Sequence, residues 1–450
     1  MVDHFCLKTV EALRLLFRLR NAAFIFPSIR VSTCGRTREI GCPSSTFHGS
    51  PIGKHPANPR PLLFSADSVH PAASTNRSSQ TDFADTLFLN RKNRLAMNGQ
   101  ACYLTCPNRP MNQPSERERI SDKLDIGREM LYLTRDEVIS TGLGVEEILY
   151  LTEQALLAHG TKEYEMPAKI GVHPFKEVFY HAMPAYVPGR QAVGLKWIEC
   201  YPGNPAKYKL PQTTGLLIIN DVLTGCPMAL MDATWVTAMR TPAVTALAAA
   251  SLHPEAKSFA MFGCGVQGIE HCLFVPKTLK SLEKIYIYDT SEAAMENLLE
   301  TVQPRLDQEI IRCADPETAT KAAEVLCSAT IILLEPLAVV KDQWVSPGQT
   351  ILPCDLNTFW DPLTAQRADK YIVDSAEEHR LFADMGYFPD GLPEISCETG
   401  EVLAGTSKGR ESADELIVCS NIGMAVCDVV VGKEIFMRAL EAGIGRKLAL

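Results

Sequence analysis

The chain has 450 residues, 46% of them hydrophobic, which is enough for more than one buried core. Its net charge of −9 gives no electrostatic case for a nucleic-acid partner, and no uninterrupted apolar run reaches the length of about 18 residues that a membrane-spanning helix needs. The average hides an asymmetry: residues 1–120 carry 16 Lys and Arg against 8 Asp and Glu, and residues 121–450 carry 28 against 45, so the two parts are different kinds of polypeptide.

Residues 1–125 hold 10 of the 29 prolines, much serine and little periodicity, and read as a disordered leader. Within it, Val10-Glu11-Ala12-Leu13-Arg14-Leu15-Leu16-Phe17-Arg18-Leu19-Arg20 is apolar and basic. Arg30, Arg36 and Arg38 follow, and Asp3 and Glu11 are the only acids before residue 39. That pattern resembles a transit peptide and implies a mitochondrial location. Equally weighted is a leader without function, or a gene-model extension with translation beginning at Met97 or Met130, which leaves a cytoplasmic protein. The 15 cysteines are scattered and expected to be reduced and mostly buried. Only Cys102 and Cys106 form a close pair in an irregular segment, and no ligand spacing points to a metal site.

Order is expected from near Arg128. A short strand at 130–133 precedes an amphipathic helix at 145–159, whose apolar positions are Ile148, Leu149, Leu151, Ala155 and Leu156 and which Gly160 closes. Strand-like runs at 178–183, 192–200, 215–220 and 228–231, separated by Pro, Gly and Asn, predict antiparallel pairing and an α+β lobe over 126–240. Residues 232–252 read as helix interrupted by Pro242, resolved as two pieces with Thr241 as N-cap of the second. Strands and helices then alternate, with strands at 258–262, 285–288, 310–313, 330–334, 350–352, 371–373 and 416–419, the mark of a doubly wound parallel sheet. Pro276 should end or kink the helix after Val266. A last helix at 422–440, stopped by Gly443, has an apolar face able to return to the first lobe.

The run Ser258-Phe259-Ala260-Met261-Phe262-Gly263-Cys264-Gly265-Val266-Gln267-Gly268, followed by Ile285-Tyr286-Ile287-Tyr288-Asp289, reads as strand, glycine turn, helix, strand and acid. Gly263 serves the tight turn, Gly265 lets backbone amides approach a pyrophosphate, and Gly268 lets the helix pack on its strand. Asp289 would bond the ribose hydroxyls and repel a 2′-phosphate, so a Rossmann-type, NAD-binding domain is expected over 241–420, with 421–450 completing the first lobe. Three cations in turn-rich surroundings, Lys169, Lys196 and Arg240, suit an anionic substrate, and Arg240, at a helix junction, stands out most.

Several motifs together resemble the ornithine cyclodeaminase and mu-crystallin family. They are Leu223-Thr224-Gly225-Cys226-Pro227-Met228-Ala229-Leu230-Met231-Asp232, continuing to Ala238-Met239-Arg240-Thr241, the loop Gly263-x-Gly265-x-Gln267, Lys196-Trp197 with Tyr201-Pro202-Gly203-Asn204-Pro205, and Ser420-Asn421-Ile422-Gly423-Met424-Ala425. The likeness covers about 128–450. It implies a two-lobed homodimer acting on a small amino or imino acid, with Lys169, Lys196 and Arg240 on the substrate carboxylate and Thr241 on a cofactor phosphate. Val266 and Gln267 join the NAD site, and Asp355 becomes the acid/base group, with Asp361 as the alternative. Pro353-Cys354 replaces the glycine-rich turn usual before that aspartate, and Lys169 stands where many relatives have arginine. The leading expectation is an ornithine cyclodeaminase-type lyase of proline biosynthesis, in which NAD⁺ takes and returns a hydride. The alternatives are an amino-acid dehydrogenase or ketimine/pyrroline-carboxylate reductase, and a mu-crystallin-like ligand-binding protein. His173 and His181 read as ordinary structural histidines, with His181 a candidate side-chain selector.

Overall fold

The computed structural model describes residues 115–450. The transit-peptide-like segment, Met97 and the Cys102/Cys106 pair lie outside the described residues. Among the described residues, regular structure precedes Arg128 and lies within the expected leader, as α1 (Glu116–Ser121). Ser115 and Glu118 form a reciprocal capping box, and Ile120 and Leu124 enter the core.

In the first lobe, β1 (Glu129–Leu133) and α2 (Arg135–Ser140) lead into α3 (Val145–Gly160). The five apolar positions named for α3 are all buried. Then come β2 (Ile170–Val172), β3 (Phe179–Val187), β4 (Ala192–Cys200), α4 (Asn204–Tyr208), β5 (Thr213–Asn220) and β6 (Pro227–Asp232). With the C-terminal β15 (Arg446–Ala449) they form a seven-stranded sheet in the order β15-β1-β6-β5-β4-β3-β2, antiparallel except for the β1/β6 pair. Period-two alternation along β4 buries Ala192, Gly194, Lys196, Ile198 and Cys200 and turns Trp197 outward, so a lysine sits on the core face.

The second lobe is a parallel eight-stranded sheet built from β7 (Ser258–Phe262), β8 (Lys284–Tyr288), β9 (Glu309–Arg312), β10 (Val325–Ser328), β11 (Thr350–Pro353), β12 (Lys370–Val373), β13 (Ile395–Glu398) and β14 (Ile417–Ser420). Its order is β13-β12-β14-β11-β10-β7-β8-β9. The direction of winding reverses between β7 and β10, and in such sheets the crevice beyond the carboxyl ends of those strands receives the ligand. Helices α5 (Thr234–Leu252), α6 (Val266–Thr278), α7 (Glu292–Val302), α8 (Pro316–Ala322), α9 (Pro362–Gln366), α10 (Ala376–Asp384) and α11 (Thr399–Leu403) complete the lobe. The last helix, α12 (Ala425–Ala442), ends at Gly443 in the left-handed conformation and packs against α3, β3, β4 and β5. It carries Val426, Val429, Val430, Ile435, Phe436 and Leu440 into the core, each worth about 1.5–3 kcal/mol when fully buried.

Three expectations are corrected, and three strands were not anticipated. Residues 234–252 are one helix that passes through Pro242, and Thr241 is inside it, its hydroxyl donating to the Thr237 carbonyl at 2.8 Å. Burial of Val236, Met239, Ala243, Val244 and Leu247 outweighs the roughly 3 kcal/mol that an interior proline costs. Helix α6 likewise continues through Pro276 to Thr278. The strand expected at 330–334 lies earlier, at Val325–Ser328, and 330–334 is loop. Finally, β2, β13 and β15 carry too little alternation to be read from the sequence.

Candidate active site

At the carboxyl end of β7 the chain turns through Gly263 at φ +96°, where an added Cβ would lie 2.8 Å from the Ala329 carbonyl on the neighbouring β10 loop. Gly268 faces back to the turn, and a Cβ there would collide with the Gly263 carbonyl. Gly265 has open space where its side chain would be, and it opens α6 with no side-chain cap. The first amides of α6 thus face outward beside the exposed side chain of Val266. Gln267 holds a buried Oε1 with no partner. Asp289 accepts from the Cys264 amide at 2.7 Å and the Ser291 amide at 2.8 Å, bracing the glycine turn, and each oxygen retains a further acceptor position. An uncapped helix start, an open glycine and an orphaned amide oxygen fit a dinucleotide.

Strand β4, helix α5 and helix α12 bring three charges together. Lys196 Nζ is 2.7 Å from Asp428 Oδ2, and Arg240 Nε donates to Asp428 Oδ1 at 3.0 Å. All three are buried. Burial, opposed by Asp428, brings the Lys196 ammonium down to about 7. For Asp428 burial acts upward, but Lys196 and Arg240 outweigh it and hold the carboxyl below its ordinary range. Lys169 lies alongside: its Nζ donates to the Gly423 carbonyl at 3.2 Å and stands 3.7 Å from Glu378 Oε2. Asp374 accepts from the Gly423 amide at 2.6 Å, and burial raises it to about 7. Gly423, at φ +93°, lies against the Arg240 guanidinium, where no side chain fits.

The segment carrying Gly423 also reaches the second half of the site. Asn421 donates its amide to the Pro353 carbonyl at 3.1 Å, next to Cys354 and Asp355. From the other side, Thr245 of α5 lies 3.3 Å from Cys354 Sγ. Thr245 is five residues past Arg240, a rise of about 7.5 Å along the helix. Asp355 is fully buried, accepting from Ser328 Oγ at 2.7 Å and from the Thr330 amide and hydroxyl at 3.1 and 2.5 Å. Burial raises its carboxyl to about 6, against the lowering effect of those bonds. Thr330 follows Ala329, the residue beside Gly263. Asp355 therefore stands at the carboxyl end of β10, linked through Thr330 and Ala329 to the glycine turn and through Pro353 and Asn421 to the segment that meets the cations.

Residues 129–443 match the family model "Ornithine cyclodeaminase/mu-crystallin family". The chain belongs to that family. It is 31% identical over 315 residues to the nodulation efficiency protein NfeD of Rhizobium meliloti, covering 70% of this chain and 97% of the relative. Against the alanine dehydrogenase of Archaeoglobus fulgidus it is 30% identical over 332 residues, covering 71% and 98%. A solved structure of Thermococcus litoralis Δ1-pyrroline-2-carboxylate reductase, in complex with NADH and L-proline, superposes with a TM-score of 0.63 at 28% identity, over 70% of this chain and 99% of that one.

Other residues singled out in the sequence fall into lesser places in this family member. Thr241 donates its hydroxyl to the Thr237 carbonyl at 2.8 Å. Asp361 caps α9, accepting from the Leu363 amide at 3.1 Å. His181 is buried, stacked on Phe179 with ring centroids 4.1 Å apart, and is driven to about 3 by burial and then by the nearby Lys169 charge, so it is neutral. His173 meets it edge-on at 5.8 Å. Sequence reasoning missed Asp428, Asp374, Glu378, Ser328 and Thr330. Asp428 had a readable signal, a single acid in the apolar run Ala425-Val426-Cys427-Asp428-Val429-Val430-Val431. Among the described residues no helix is long and apolar enough to cross a membrane, and the ten described cysteines are free thiols.

Proposed function

We propose that this protein is an NAD-dependent oxidoreductase that transfers hydride at Cα of a small L-α-amino acid or of the corresponding imine. The observation that carries the reading is the buried Lys196–Asp428–Arg240 cluster, with Lys169 beside it, joined through Asn421 and Gly423 to the Asp355 loop at the glycine turn. Bound NAD supplies the hydride acceptor or donor. At the turn that Gly263 shapes, the amides of Gly265 and Val266 would hold its pyrophosphate, Gln267 its buried edge and Asp289 its ribose hydroxyls.

Lys196 and Arg240 share one carboxylate, Asp428, which leaves one negative charge wanting when both are protonated, and burial raises Asp374 to about 7 and shifts Glu378 in the same direction. A substrate carboxylate supplies the missing negative charge and is fixed by Lys196, Lys169 and the planar fork of Arg240. Anchoring there orients Cα toward the turn. Asp355, near 6, is mostly ionised at neutral pH and takes the proton from the substrate ammonium as the imine forms, then returns it in the reductive direction. Ser328 and Thr330 hold that carboxylate in one orientation.

The names of the relatives at 30% and 28% identity support a single hydride step. The cyclodeaminase reading, which the family match supports, adds an attack by the distal amine on the Cα imine, loss of ammonia and return of the hydride. To separate them, the full-length protein is incubated with NAD⁺ and L-alanine, L-proline or L-ornithine, and with NADH and Δ1-pyrroline-2-carboxylate. Net change in NADH supports the single step. Proline and ammonia from ornithine without net NADH support the cyclodeaminase, and tight binding without turnover supports a ligand-binding protein. For the homodimer we propose the outer face of the first sheet, where Ile170, Trp197 and Leu216 form an exposed apolar row across β2, β4 and β5. Light scattering on a Trp197→Glu variant should then report a monomer.

A further inference from the structure

Behind the Asp355 loop lies a second cluster that the hydride chemistry does not use. His271 of α6, Cys327 at the end of β10 and Cys354 after β11 place one imidazole nitrogen and two thiol sulfurs within 4.8 Å of one another. His271 Nδ1 is 2.7 Å from the Gln267 carbonyl, which only accepts, so Nδ1 carries the proton and Nε2 turns its lone pair into the cluster. A backbone carbonyl holding the far nitrogen is the support that metal-binding histidines ordinarily have. Nε2 lies 3.6 Å from Cys354 Sγ. A tetrahedral zinc ion, with bonds of about 2.3 Å to sulfur and about 2.0–2.1 Å to nitrogen, sets the same edge at about 3.6 Å. Thr245 Oγ1 closes the fourth side, 3.0 Å from His271 Nε2 and 3.3 Å from Cys354 Sγ. His271, Cys327 and Thr245 are buried, and Cys354 is partly exposed, leaving one side for entry.

We propose that Cys327, Cys354 and His271, completed by the Thr245 hydroxyl or a water, bind a thiophilic divalent cation of the zinc class. Loading converts each thiol to a thiolate and releases its proton to solvent, with no change of oxidation state. The ion ties the end of β10 and the residue before Asp355 to α5 and α6. Such a site is invisible to motif spacing, because its ligands are 56 and 27 residues apart and meet only through the parallel register of β10 and β11. The inference stands whatever substrate the neighbouring cleft takes.

The full-length protein, reduced and freed of metal, is titrated with Co²⁺ as a spectroscopic probe and then with Zn²⁺. The expected result is a thiolate-to-cobalt charge-transfer band with tetrahedral ligand-field absorption, saturating at one ion per chain and displaced by zinc. Cys327→Ser and Cys354→Ser should each diminish the band, and His271→Gln should weaken zinc binding at least about tenfold. Cys226→Ser, away from the cluster, should change nothing. Should the serine variants fail to fold, protection of Cys327 and Cys354 from alkylation by zinc in the wild-type protein, mapped by mass spectrometry, reads the site directly. Absence of a thiolate–cobalt band, or alkylation of the partly exposed Cys354 unaffected by zinc, overturns the proposal.

Discussion

Replacing Asp428 by asparagine removes one charge and almost no volume, and it leaves Lys196 and Arg240 facing each other in the core. At 2.7 and 3.0 Å, and an effective dielectric of about 20, each pair attracts by about 6 kcal/mol before desolvation. The net loss on removing one partner of a buried ion pair is about 3–5 kcal/mol. Over the 336 residues of 115–450, at about 2.1 cal/mol/K per residue, that is a fall in melting temperature of about 4–7 °C. The deficit also has a pH signature. Lys196 in the folded protein sits near 7, below its ordinary 10.5, so the unfolded chain binds more protons between those values and stability rises with pH across that window. Without Asp428 the folded lysine falls further, and the variant is penalised most below pH 7, where the wild-type lysine is protonated. Above that both folded forms carry it neutral, and mainly the Arg240 contribution remains. Thermal melts at pH 6 and pH 9 measure both effects. A variant that melts with the wild type at pH 6 would refute the claim that Asp428 compensates two buried cations, and a deficit larger at pH 9 would contradict the assignment to Lys196.

Gly423→Ala puts a methyl group against the Arg240 guanidinium at a positive φ, and should raise KM for the amino acid about tenfold or more while leaving NAD affinity unchanged. Gly268→Ala forces α6 away from the Gly263 carbonyl, and should weaken NAD binding, read by NADH fluorescence, without moving the ammonium-dependent part of the pH profile. Asp355→Asn should lower turnover about 10²–10⁴-fold with NAD affinity retained. In the wild type, oxidation should fall off as pH drops through about 6, where Asp355 takes up a proton. Full activity in Asp355→Asn sinks the acid/base assignment.

The parallel sheet was legible because β7, β8, β11 and β14 are short apolar runs with clear breakers, and the glycine turn was legible because its geometry demands particular residues. Pro242 misled because a local rule met a helix whose burial overrides it. The strand at 325–328 was misplaced because Ile331-Ile332-Leu333-Leu334 is the more apolar and more β-branched run, and only pairing with β7 and β11 selects Val325-Leu326-Cys327-Ser328. At the site, the cations were readable as residue types, whereas their carboxylate Asp428 lies 188 residues beyond Arg240 and meets it only through the return of α12. Asp355 was found through a family pattern. Its partners Ser328 and Thr330 depend on which strand neighbours which, and the order of letters in the chain does not state that.

The central claim is tested most directly by following the hydrogen itself. The best amino-acid substrate, deuterated at Cα, is turned over with NAD⁺ by the full-length protein, and the recovered nicotinamide is weighed by mass spectrometry. The account predicts one deuterium in each NADH formed. Turnover that leaves NADH unlabelled, or no oxidation of any amino acid and no reduction of any imine, would contradict it.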